Sequence, residues 1–239
     1  MEIVENQIIG ELVAKNYKTA SVFKKHKIDF CCNGNRTISE ACERKNIDTA
    51  TLINELQNTF INQEQNIDFN AWELDLLADY IEKTHHRYVV AKIEEIKPFL
   101  NKVVRVHGEH NPELKEIEIL FNQSAQELSP HLQKEEMILF PFIRHMVVAK
   151  LQEKPMVQPH FGTVENPITM MKHEHQNEGE RFEKIAELSD NYNPPSHACN
   201  TYRVTFALLK EFEDNLHQHI HLENNILFPK AIELENEFH

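Results

Sequence analysis

A duplicated block constrains this chain more than any other feature. His131 to Pro141 reads HLQKEEMILFP and His219 to Pro229 reads HIHLENNILFP, identical at six of eleven positions. The copies stand 88 residues apart (219 minus 131), and an isolated histidine precedes each at a similar interval, His85 and His175. Such a duplication folds as two related helical hairpins, hence an all-α, up-down-up-down four-helix bundle. Punctuation agrees. Breaks at Gly108/Pro112, across 155–167 and across 191–196 delimit helices near 70–106, 113–149, 167–188 and 198–227. The Pro-rich connection 150–166 is long enough to be an irregular excursion or a lid. Only 5 glycines in 239 residues argue against a turn-rich β architecture and Gly-rich phosphate loops.

Upstream of the bundle the texture changes. Residues 1–62 carry short helical patterns broken at Asn33-Gly34-Asn35 and hold Cys31, Cys32 and Cys42. The polar run NQEQNIDFN that follows reads as a connector. The expected organisation is a small N-terminal helical domain (1–62), a linker (63–70) and the bundle (71–239).

Each bundle helix carries an apolar stripe at helical spacing, interrupted near its centre by ionisable residues. The stripes are Leu77, Ile81, His85, Val89, Ile93, Ile96; then Ile117, Phe121, Ser124, Leu128, His131, Glu135, Ile138, Phe142; then Ile168, Met171, His175, Glu178, Phe182, Ile185; and Leu208, Phe212, Leu216, His219, Glu223, Ile226. Gly108 stands midway between His85 and His131, so an antiparallel hairpin turning there puts both at one height. One histidine in a stripe is more often a hydrogen-bonded core residue than a ligand. Two H-x-x-x-E pairs plus two in-register histidines reverse that preference, because buried carboxylates need a compensating charge. Residues i and i+4 share a helix face, so each pair presents imidazole and carboxylate to a common site.

The expected ligand set is His85, His131, Glu135, His175, His219 and Glu223. Four imidazoles and two carboxylates suit two metal ions about 3.5–4 Å apart, each with two histidines and bridged by both carboxylates. Hard oxygen with imidazole and no thiolate favours iron or manganese over structural zinc. His217 and His221 also form an i,i+4 pair, but they lie off the stripe and lack a counterpart in the repeat. His86 is turned from His85 by about a quarter-turn, His173 is off-stripe, and His107 is too far along its helix. Glu178 is a candidate for supporting the site from one turn beyond His175. His26, His110, His145, His160, His197 and His239 read as surface or loop groups.

Charge and cysteines bound the rest. The balance of 25 Lys+Arg against 38 Asp+Glu, net −13, speaks against nucleic acid and anionic membranes as partners. The excess acid reads mainly as a solvated face. No apolar run approaches the ~20 residues that span a bilayer, and the start MEIVENQIIG lacks the basic residues of a secretory leader. Four cysteines, two of them adjacent, do not make a disulfide framework, so a cytoplasmic setting is expected.

With those residues in hand, the chain resembles the Repair of Iron Centers family of ScdA-type di-iron proteins with a hemerythrin-like domain. The resemblance rests on IDFCCNGNRTISEAC (28–42), LSPHLQKEEMILFP, KHEHQNEG and HIHLENNILFP, and covers nearly the whole chain. It implies a hemerythrin-like bundle whose iron ligands fall on the same six residues, with both glutamates bridging two iron ions that are oxo-bridged when oxidised. It further implies repair of iron–sulfur clusters after nitrosative or oxidative stress, by iron donation, by NO binding and reduction, or by both. Damaged iron–sulfur proteins would then be clients, NO and O₂ small ligands, and a homodimer stays open. A nitric oxide reductase and a hemerythrin-like O₂ or iron sensor with an N-terminal docking module are the rivals. Cys31 and Cys32 read either as semi-buried thiols before a helix or as redox, iron- or NO-handling thiols, with a helix N-terminus near Thr37 expected to lower a thiol pKa. Cys42 and Cys199 read as structural.

Overall fold

The computed structural model describes residues 3–61 and 67–238. Four short helices come first: α1 (Ile9–Lys15), α2 (Thr19–Lys25), α3 (Ile38–Lys45) and α4 (Thr49–Ile61). α3 starts on a capping box, the Thr37 hydroxyl accepting from the Glu40 amide while the Glu40 carboxylate accepts from the Thr37 amide. The α2–α3 loop, which carries Cys31 and Cys32, is pulled onto α1 by a 2.7 Å bond from the Gly10 amide to the Gly34 carbonyl. Gly34 is required there, and Gly10 is tightly packed. A Cβ on Gly10 would lie 2.5 Å from the Asn225 Oδ1, and one on Gly34 would lie 2.4 Å from the Phe30 carbonyl. Of the expected linker, residues 63–66 lie outside the described residues. Phe69–Ala71 form a 3₁₀ turn with Phe69 buried against Trp72 and Tyr80.

Four long helices follow. α5 spans 74–107 as Leu74–Tyr80, a π turn Ile81–His86, and Arg87–His107. α6 spans 113–151 as Glu113–Lys134, a π turn Glu135–Leu139, and Phe140–Leu151. α7 is Glu165–Leu188, unbroken. α8 spans 200–236 as Asn200–Leu222, a π turn Glu223–Leu227, and Phe228–Asn236. The all-α expectation is met. The last helix runs past the expected stop at 227, because Pro229 falls in the first turn of the segment after the π turn, where a missing N–H is tolerated. The 150–166 connection is an excursion pinned at its end. The Val164 amide donates to the Glu235 carboxylate at 2.9 Å, and the Val164 side chain is fully buried.

The core divides into two apolar clusters. One holds the N-terminal helices and bundle residues such as Val89, Phe121, Leu128, Phe182 and Phe212; the other holds Leu77, Ile81, Leu139, Phe140, Ile168, Met171, Ile226 and Phe228. Buried polar side chains from all four long helices occupy the level between them. Two stripe positions depart from expectation. Ile138 is 39% exposed and Phe142 only half-buried, while Leu139, Phe140 and Ile143 face inward. The π turn explains this: an extra residue in the ladder shifts the inward face by one position.

Candidate metal centre

The three π turns of the described residues lie where the ionisable residues interrupt the stripes, and two of them stand just before a proline. Pro141 and Pro229 lack an N–H, and their rings clash with the carbonyl four residues earlier. Those carbonyls, of Met137 and Asn225, belong to the π turns Glu135–Leu139 and Glu223–Leu227. The ILFP end of each duplicated block thus falls where the helix widens, whereas Pro98 and Pro130 are carried in regular helix without a π turn. The Ile81–His86 turn has no such proline.

Two clusters of ligand atoms result, each within 4.8 Å: His86, Glu135, His219 and Glu223, and His131, Glu135, His175 and Glu223. The carboxylates are common to both. All six residues are at most 3% exposed. His131 Nε2 stands 3.3 Å and His86 Nε2 3.5 Å from Glu135 Oε2, while His219 Nε2 stands 3.0 Å from Glu223 Oε1 and His175 Nε2 3.2 Å from Glu223 Oε2. The structure thus brings together five of the six residues expected from the sequence.

His85 is not among them; His86 takes that place. Ile81 starts a π turn whose ladder runs i to i+5, so the residue one turn beyond Ile81 is His86, not the His85 that a 3.6-residue count selects. His85 is buried too, but its Nδ1 faces Asn215 Oδ1 at 3.2 Å and its ring stacks on His219 at 5.8 Å. It lies behind His219 instead of joining the cluster.

The outer nitrogens show how the imidazoles are held. His86 Nδ1 lies 2.9 Å from Glu136 Oε1, His131 Nδ1 2.8 Å from Glu174 Oε2, and His175 Nδ1 2.9 Å from Asn224 Oδ1. Each oxygen accepts from Nδ1–H, which leaves the Nε2 lone pair pointing into the chamber, the tautomer a metal requires. Consequently the Nε2 atoms of His131 and His175 face one another at 3.2 Å. A cation between them turns that lone-pair confrontation into coordination. Both Glu135 oxygens, Glu223 Oε2 and His86 Nε2 have no hydrogen-bond partner although fully buried. Orphaned acceptors at that density are costly in a protein interior, and the donor set fits cations.

The carboxylates differ electrostatically. Burial and the nearby Glu223 charge push Glu135 well above the usual carboxylate range. Burial also acts upward on Glu223, but the facing His219, with His175 and His86, outweighs it and holds Glu223 well below that range. Two carboxylates in one dry chamber do not both ionise without added positive charge. His219 is depressed to about 3 and His131 is lowered, burial being the main cause for each.

Comparison with known proteins accords with this geometry. Residues 77–231 match the hemerythrin HHE cation binding domain, and residues 5–59 match ScdA_N, a domain of unknown function (DUF542). The iron-sulfur cluster repair protein ScdA of Staphylococcus haemolyticus is 31% identical over 228 residues, covering 95% of this chain and 99% of that protein. The iron-sulfur cluster repair protein YtfE of Yersinia pseudotuberculosis is 32% identical over 95% of this chain and 97% of its own length. Its namesake from Musicola paradisiaca is 32% identical over 94% and 95%. The chain belongs to the ScdA/YtfE family.

In this family member the vicinal cysteines sit beside the cluster. Asp29 Oδ1 accepts from the Cys31 and Cys32 amides at 3.0 and 2.9 Å, folding the loop so that the two sulfurs lie 3.8 Å apart. Cys32 Sγ donates to the His175 carbonyl at 3.3 Å. The expectation of a lowered thiol pKa fails for Cys31. Its hydrogen bond with Cys32, its burial and the Asp29 carboxylate push it well above the usual value, although α3 does start on Thr37 as expected.

Other candidates are placed elsewhere. Glu178 forms an ion pair with Arg181, and His107 Nε2 lies 3.3 Å from Cys199 Sγ, far along α5. His217 and His221 face the N-terminal helices, against Phe30 and Tyr17. A cleft of about 1480 Å³ opens there, with Lys24, Cys31, Gln176 and His217 in its walls and none of the six clustered residues. His239 lies outside the described residues. Among the described residues no helix is long and apolar enough to cross a membrane.

Proposed function

We propose that the ScdA/YtfE-family chamber is a di-iron centre serving the repair of iron–sulfur clusters damaged by nitrosative or oxidative stress. The observation that carries this reading is the donor set: two overlapping clusters that share Glu135 and Glu223, with three of the four imidazoles held by an oxygen on Nδ1. His86 and His219 would hold one iron and His131 and His175 the other. When bound, iron supplies one-electron redox chemistry and open positions for a diatomic ligand such as NO or O₂. The chain's own contribution is to keep water out with the two apolar clusters and to keep the Nε2 atoms of His86, His131 and His175 unprotonated. The free cysteines fit a reducing compartment.

Iron donation and NO chemistry are separated by two assays on the iron-loaded chain. Nitrous oxide formed from NO by the reduced protein under anaerobic conditions marks a reductase. Restored cluster absorbance in an apo iron–sulfur protein, with matching iron loss from this chain, marks a donor. Failure of both, with reversible O₂ binding instead, contradicts the repair reading and favours the sensor.

A further inference from the structure

The contacts of the α2–α3 loop with the bundle concentrate on residues adjoining the clustered histidines and glutamates. Cys32 Sγ meets the His175 carbonyl, Asn33 Nδ2 donates to Gln176 Oε1 at 3.2 Å, and Asn225 Nδ2 donates to the Phe30 carbonyl at 3.0 Å. The fourth contact runs through one buried side chain. Asn224 Nδ2 donates to the Cys31 carbonyl at 3.1 Å, and Asn224 Oδ1 accepts from His175 Nδ1 at 2.9 Å.

We propose that Asn224 makes metal loading and docking of the cysteine-bearing loop a single coupled equilibrium; the proposal rests on the metal-centre reading above. The reasoning is one of hydrogen-bond polarity. A backbone carbonyl only accepts, so the amide must turn its NH₂ toward Cys31. Its oxygen is then left facing His175, and that oxygen only accepts, so His175 must carry its proton on Nδ1. Nε2 is thereby deprotonated and ready for a cation. When the loop leaves, the Cys31 carbonyl no longer fixes the amide, and Asn224 is free to flip. A flipped amide offers N–H to Nδ1 and favours the proton on Nε2, which is the form that does not bind metal. His86 and His131 escape this dependence, since carboxylates that can only accept, Glu136 and Glu174, hold them. Coupling is reciprocal: if docking favours metal, metal favours docking by the same factor. A cation on His175 Nε2 keeps the proton on Nδ1, orients the amide, and presents NH₂ to the Cys31 carbonyl. Iron occupancy would thus be reported to the vicinal thiols, and an empty centre would loosen them.

The test is amide hydrogen exchange of the peptide 28–36 in the full-length protein, metal-free and after anaerobic loading with ferrous iron, with metal uptake measured in parallel. Loading should slow exchange of this peptide roughly tenfold in the wild type, within the usual range of such couplings. Asn224→Asp keeps an acceptor for Nδ1–H but places carboxylate oxygen against the Cys31 carbonyl. It should take up iron while the peptide exchanges fast and equally with and without it. Asn33→Ala, which loosens the loop without touching the amide, should keep the iron-dependent slowing. Wild-type exchange that ignores iron overturns the proposal, and so does iron-dependent slowing that survives in N224D. The wild-type comparison stands even if N224D does not fold. A chain that binds no iron overturns the metal-centre reading itself, an outcome distinct from binding without coupling.

Discussion

His85 and His86 are adjacent, both buried, and assigned different tasks by one turn of backbone. His86 Nε2 faces Glu135 and Glu223, while His85 faces Asn215. His86→Ala should therefore cut iron content below half of the wild-type value, and His85→Ala should keep nearly all of it, as read by elemental analysis after anaerobic reconstitution. The reverse order would restore the α-helical register. The sequence identifies the other five residues because the duplicated block places His131, Glu135, His219 and Glu223 on apolar stripes, and α7 is an unbroken α-helix in which His175 obeys the 3.6-residue count. The first helix lies outside the duplicated block, so nothing in its sequence marked the extra residue between Ile81 and His86. Asn224 was equally hidden. Its importance depends on the Cys31 carbonyl, 193 positions away, arriving above it.

At the scale of elements, the π turns link local sequence to site geometry. The sequence reading ended the last helix near 227, yet the helix widens at Glu223–Leu227, takes Pro229 into its next turn and continues to Asn236. Pro229→Ala removes the clash with the Asn225 carbonyl and lets the segment relax toward regular α-helix. Glu223 and Asn224 would then turn relative to the cluster. Iron affinity should fall roughly tenfold, the lower end of what loss of supporting interactions costs a metal site, while the far-ultraviolet circular dichroism stays close to wild type. Unchanged affinity would mean that the turn persists without its proline. The same one-position shift explains why Ile138 and Phe142, placed inward by sequence periodicity, gave way to Leu139 and Ile143. The helices and their order were readable from amphipathic spacing and breakers. The phase past the π turn of α6 was not, since it depends on a backbone state that periodicity does not encode, whereas Val89, Ile93 and Ile96 past the π turn of α5 are buried as their spacing predicts.

The molecule as a whole pays for its polar layer in acid sensitivity. His85, His131, His217, His219 and His221 are all lowered from their ordinary value, burial being the largest cause, and His219 and His221 reach about 3. The metal-free fold keeps them neutral while the unfolded chain protonates them near 6.5. Stability from this source is complete above about pH 6.5 and is lost as pH falls toward 3. Glu135 and Glu178 are raised and act the other way, each gaining stability as pH falls toward the ordinary carboxylate value. Five histidines outnumber two carboxylates, so the urea midpoint of the metal-free protein should drop between pH 7 and pH 5. A midpoint that rises over that interval would show that the histidines are not buried neutral.

In the proposed centre six side chains, His86, His131, Glu135, His175, His219 and Glu223, hold two irons. The ratio of iron to protein after anaerobic reconstitution tests it most directly, measured on the wild type and on the double variant Glu135→Leu/Glu223→Leu. Close to two irons per chain are expected in the first and almost none in the second. A wild type that holds one iron, or zinc alone, or a double variant that keeps its iron, would contradict it.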